Sequence, residues 1–206
     1  MSQVADPDSL LRTIKQSLHA MMNGVASRSM REKGLAYRVN YGVELPRLQA
    51  FAGEFAPDAA LANALWREDI RECRLLAPML MPPEAFAMDL AEEWLQHLRF
   101  TEEADALVFY LLRHVGYASD AAFRWLASES EMHRYVALQL LTRLLAAGAV
   151  MTTRDAHEFL DQASAQTQGG PLHLQRAAWR AIERFADQGM PQARLASAIL
   201  RRRDGI

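Results

Sequence analysis

Lysine is nearly missing from this 206-residue chain: only Lys15 and Lys33 stand among its 23 basic residues. Cysteine is rarer still. Cys73 is the one thiol, so no internal disulfide can form, and no Cys/His pair has zinc-site spacing. No apolar run approaches the ~18 residues that a membrane-spanning helix needs. The opening MSQVADPDSL lacks the charged-then-apolar order of a secretory signal. Valine, isoleucine and threonine are sparse and no segment alternates with a period of two, a mix that favours helix over strand. Neither sign of charge dominates: 25 acidic residues against 23 basic ones give a formal net charge of −2, without the global basic field of many nucleic-acid binders. Disulfide scaffolds, structural zinc modules, membrane spans and disordered chains are thereby set aside. A reduced, cytoplasmic setting is expected, with no metal or cofactor implied.

What is abundant is alanine, leucine, methionine, glutamate, glutamine and arginine, cut at regular intervals by helix punctuation. Asp6-Pro7-Asp8 opens a helix that closes near Asn23-Gly24, and Asn40-Tyr41-Gly42 forms a turn. Pro46 suits a first helical turn, Ala56-Pro57-Asp58 breaks the chain, and Leu61 to Leu80 reads as two helices or one kinked at Arg67-Glu68-Asp69. Pro82-Pro83 starts the next helix, Thr101 caps the one after it with Glu102 and Glu103 at its positive end, and Ser119, Ser130 and Thr153 are further N-cap candidates. The last helix begins near Pro191 and ends in Arg201, Arg202 and Arg203.

The second half pairs its helices: 83–98 with 102–115, 120–127 with 131–147, and 153–166 with 172–187. The pairs start at Pro82, Ser119 and Thr153, offsets of 37 and 34 by subtraction, within the repeat range of helical solenoids. The tetratricopeptide consensus is absent. The expected fold is all-α, a HEAT-like or armadillo-type solenoid of antiparallel helix pairs, with residues 1–206 as a single domain and arginine rows on a concave face.

Two such rows are legible. Arg67, Arg71 and Arg74 share one helix face, and Arg176, Arg180 and Arg184 share another. Each is either a solvated, salt-bridged surface or a row facing phosphate, for which guanidinium groups are well shaped. The densest basic stretch, Asn23 to Asn40, carries Arg28, Arg31, Lys33 and Arg38. Trp66, Trp94 and Trp125 read as helix-packing anchors. Cys73 reads as a buried structural thiol rather than a reactive one.

Three stretches together resemble the HEAT-like DNA alkylation repair family of DNA glycosylases. They are Tyr41-Gly42-Val43-Glu44-Leu45-Pro46-Arg47-Leu48, then Leu65-Trp66-Arg67-Glu68-Asp69-Ile70-Arg71-Glu72, then Leu174-Gln175-Arg176-Ala177 onward to Phe185. They fall in the family's order and span roughly residues 35–190. The resemblance implies excision of N3- or N7-alkylated purines by hydrolysis of the N-glycosidic bond. A cationic base leaves readily, so the protein's main contribution is a carboxylate beside an oxocarbenium-like sugar.

By that resemblance Asp105 matches the catalytic aspartate. Thr101 stands where the family has a lesion-contacting tryptophan. Arg134 is the nearest match to an arginine that holds DNA backbone. Counting five residues from Gln175 reaches Arg180 where a second tryptophan is expected, with Trp179 one step off and so rotated about 100° away. Arg176 and Arg71 are supporting phosphate contacts on this reading. The expected partner is double-stranded or damaged DNA. With both tryptophans replaced, enzyme activity stays open, beside a non-catalytic binder of branched or distorted DNA and a protein-interaction scaffold.

Overall fold

The computed structural model describes residues 7–203; the expected opening signal at Asp6 and the side chain of Arg203 lie outside the described residues. The chain divides into two compact units, one ending at Leu111 and the other beginning at Leu112. Among the described residues every named element is helical, and the one β-type contact is an isolated bridge between Val39 and Ile70.

The first unit holds α1 (Pro7–Ala20), α2 (Gly24–Glu32), α3 (Leu45–Ala52), α4 (Ala59–Arg67), α5 (Arg71–Leu80), α6 (Met88–Gln96) and α7 (Thr101–Tyr110). Asp58 caps α4, its carboxylate accepting from Leu61 N at 2.8 Å. The break at Arg67-Glu68-Asp69 is real, and α4 and α5 pack on each other as a pair. The next two helices stack on that pair in order. Trp94 of α6 lies parallel to Trp66 of α4, 4.4 Å between centroids, and α7 packs on α5. Stacking first helix on first and second on second is how a helical repeat buries a continuous core. Trp66 and Trp94 are buried, as anchors should be.

The second unit holds α8 (Ala118–Leu126), α9 (Glu131–Ala146), α10 (Thr153–Ala165), α11 (Leu172–Ala186) and α12 (Met190–Arg203). It repeats the arrangement: α8 pairs with α9, α10 with α11, and the layers stack α8 on α10 and α9 on α11. Trp125, Phe159 and Phe185 lie in its core.

Several start signals sit one position or more from the true start. Phe100, not Thr101, is the N-cap of α7, and Thr101 is its first helical residue. Tyr117 precedes α8, so Ser119 lies inside that helix. Thr152, not Thr153, caps α10 through Asp155 N. Pro82-Pro83 begins only a single 3-10 turn, and α6 starts five residues later at Met88. Ser130 does cap α9, accepting from His133 N.

Cys73 is fully buried on α5. Burial, followed by the negative charge of Glu68, pushes its thiol up to about 12. The thiolate is the nucleophile, so a disulfide reagent at pH 8 is expected to leave the folded protein unmodified and to titrate one thiol after denaturation. Reaction at a similar rate in both states would show that this helix opens readily.

Candidate nucleic-acid interface

The row expected at Arg67, Arg71 and Arg74 does not face solvent as a row. Arg67 is exposed, but Arg71 and Arg74 are each only 5% exposed and are tied to carboxylates. Arg71 donates from Nε and Nη2 to Glu102 at 2.9 Å each and from Nη1 to the Val43 carbonyl at 3.0 Å. Glu72, with no exposed surface, accepts from Tyr41 N at 3.1 Å and Val43 N at 3.2 Å. The Tyr41–Val43 and Arg71-Glu72 motifs are therefore two halves of one clasp holding the 39–43 segment against the start of α5. Arg71 N donates to Val39 O beside them. The clasp is structural, and Arg71 is not placed to meet a phosphate.

Arg74 completes a second buried lock. Its Nε donates to Glu103 at 2.6 Å, and its other nitrogens reach the Trp66 and His97 carbonyls. The guanidinium lies 4.0 Å from the Trp66 ring centroid, a cation–π contact strengthened by desolvation. Glu103 also accepts from Arg99 N at 3.0 Å, tying the residue before the N-cap, Phe100, to the first turn of α7. Tyr37 packs nearby on Phe100. Burial, then the charge of Glu103, holds its phenol well above the ordinary range.

On α7, Asp105 is exposed and Thr101, one turn before it, is half-buried. Phe109, one turn beyond, is also half-buried and shares that face. The next residue, Tyr110, bonds through its hydroxyl to the Gln49 amide of α3. Thus the first unit presents a carboxylate flanked by a small hydroxyl residue and a phenyl ring. Phe109 went unread because nothing in its spacing separated it from the core.

In the second unit, Arg176 and Arg180 are exposed one turn apart on α11, and neither has an ion-pair partner among the described residues. They flank a cavity of about 180 Å³ between α11 and α9, lined also by Tyr135, Gln139, His173 and Ala177. Gln139 Nε2 donates to the Tyr135 hydroxyl at 2.9 Å. His173 sets its ring edge-on to Tyr135 at 5.3 Å and places Nε2 3.0 Å from Glu131. Arg184 continues the arginine row on α11 by one turn, standing 3.8 Å from Asp187, and Arg143 lies one turn beyond Gln139 on α9.

Arg134 plays a different part. It is half-buried, and its Nη1 donates to the Ser128 and Glu129 carbonyls at 2.8 Å each, tying down the turn that leads into α9. Tyr135, Gln139 and His173 escaped the sequence reading, although Glu131, Tyr135, Gln139 and Arg143 recur every four residues along α9. Trp179 is half-buried on α11. Among the described residues no group of His, Cys, Asp and Glu could hold a metal ion. Nor is any helix long and apolar enough to cross a membrane.

A family model described as DNA alkylation repair enzyme matches residues 14–168. Among solved structures, the chain is similar to one described as "a new family of proteins related to the HEAT-like repeat DNA glycosylases with affinity for branched DNA structures". The TM-score is 0.80 at 18% identity, over 92% of this chain and 81% of that one. At that identity the likeness establishes the HEAT-like fold. No curated protein matches the sequence. With three-quarters of its length accounted for by the family model, the chain belongs to the DNA alkylation repair enzyme family.

Proposed function

We propose that this protein binds DNA by its phosphate backbone along the groove between α9 and α11, with a preference for branched or distorted duplexes over regular ones. The observation that carries this reading is the pair Arg176 and Arg180, exposed, one turn apart and without ion-pair partners among the described residues, beside a polar cavity. Cations left unneutralised within a chain of net charge −2 mark a local site rather than a global field. The affinity for branched DNA described for the structural relative supports the choice of branched over linear duplex.

A second reading keeps the excision chemistry. Asp105 is exposed on α7, where a carboxylate could stabilise a cationic sugar and orient water. Thr101 weighs against it, since a threonine forgoes stacking worth about 1–3 kcal/mol per base.

Fluorescence anisotropy with a labelled four-way junction and a linear duplex, each at 50 and 200 mM salt, tests the first reading. The junction is expected to bind more tightly, with affinity falling steeply as salt rises. Replacing Arg176 and Arg180 by alanine is expected to weaken binding about tenfold or more and to flatten the salt dependence by about two counterions. Affinity indifferent to salt would remove the phosphate model. Release of alkylated purines from N3- and N7-methylated DNA separates the second reading. Release by the wild type that Asp105→Asn abolishes would establish catalysis, and equal release by both proteins would dismiss Asp105 as its agent.

A further inference from the structure

The cavity beside Arg176 and Arg180 has a composition that phosphate binding alone does not explain. A groove that only tracks a backbone needs cations along its edges. This one also has a floor made by Tyr135 and the small side chain of Ala177, both buried, and rims of Gln139 and His173. At about 180 Å³ it falls below the roughly 300–1,000 Å³ of a drug-sized pocket, so it suits one planar ring system rather than a nucleotide or a base pair.

The lining matches what a base requires. His173 provides aromatic surface above a floor closed by the buried Tyr135, and Arg180 a planar cation that can lie on a ring. Gln139 carries an amide donor and acceptor together, the combination that reads an adenine edge, and its bond to the Tyr135 hydroxyl fixes its rotamer. Glu131, whose carboxylate stands 3.0 Å from His173 Nε2, puts negative charge at one end, away from the arginines.

We propose that this cavity seats a single unpaired nucleobase, with Arg176 and Arg180 holding the phosphates on either side of it. The inference rests on the groove reading above and adds the chemical class of what enters. A base inside a regular duplex must be unstacked and unpaired first, whereas one already unpaired at a branch point enters at little cost. Preference for branched DNA then follows from the pocket rather than from the curvature of the DNA.

The test compares two three-way junctions, one fully paired and one with a single unpaired adenine at the branch, and repeats the second with 2-aminopurine in that place. The wild type is expected to bind the unpaired junction about tenfold more tightly and to quench the 2-aminopurine emission as the ring stacks. His173→Ala combined with Gln139→Ala, and separately the size-preserving Gln139→Glu, are expected to lose that preference while keeping the salt slope and an unchanged thermal melt. Equal affinity for both junctions with unchanged emission, while the Arg176 and Arg180 variants still weaken binding, would overturn the base seat and leave the groove standing. Absence of any salt-dependent DNA binding would overturn both.

Discussion

Glu103→Ala is expected to destabilise the first unit by about 3–5 kcal/mol, the usual result when one partner of a buried ion pair is removed. Glu103 has no exposed surface, and Arg74 is 5% exposed. Taking away the carboxylate strands a guanidinium that only two carbonyls and the Trp66 ring still meet. It also removes the acceptor for Arg99 N. For a chain of this size the loss corresponds to a fall of roughly 6–20 °C in the thermal midpoint. Urea denaturation at pH 7 measures it directly. Arg74→Met with Glu103→Leu decides the cause. Replacing both charges with apolar groups of similar bulk avoids the stranded cation, so the double variant should recover at least half of the loss. A double variant as unstable as Glu103→Ala would instead assign the effect to the lost bond at the start of α7.

The same lock explains where reading the sequence stopped. Helical spacing put Arg71 and Arg74 one turn apart on α5, but Arg67 ends α4 on the far side of the break, so the three do not share one helix face, and periodicity alone does not say what covers a face. The covering carboxylates, Glu102 and Glu103, lie 31 and 29 positions from Arg71 and Arg74. The burial of the two guanidinium groups is thus a tertiary fact. The misplaced cap at Thr101 also reflects tertiary structure: Glu103 is drawn inward to Arg74 and holds Arg99 N, while Phe100 stands at the N-cap with no side-chain cap.

The pairing of helices was more legible. Each helix of the second half carries an apolar stripe, and turn residues cut the stripes at a near-constant interval. Arg176 and Arg180 were readable for a related reason. Ala177, Ala178, Ala181, Ile182 and Phe185 define the buried face of α11, which leaves the two arginines outside. The groove itself was not readable, because its other wall comes from α9 and the contact of His173 with Glu131 joins residues 42 positions apart by subtraction.

The sharpest consequence of a sequence motif concerns Gly42. Its φ is +72°, in the left-handed region where an L-residue costs about 1–2 kcal/mol. A Cβ added there would lie 2.6 Å from Ser27 N and closer still to the Asn23 carbonyl, both backbone atoms in the first turn of α2. That turn is already bonded to the 40–41 segment, Asn23 N donating to Tyr41 O at 2.8 Å and the Ser27 hydroxyl to Asn40 O at 2.7 Å. No side chain can rotate away to make room, so steric overlap adds about 1–3 kcal/mol to the conformational cost. Gly42→Ala is therefore expected to destabilise the protein by about 2–5 kcal/mol. Gly34→Ala is the matched control: its φ is +94° but nothing lies within 4 Å of the added carbon, so it should show the conformational cost alone. If Gly42→Ala melts no lower than Gly34→Ala, the 40–43 segment is not seated on α2, and the clasp made by Arg71 and Glu72 has less to hold than the structure implies.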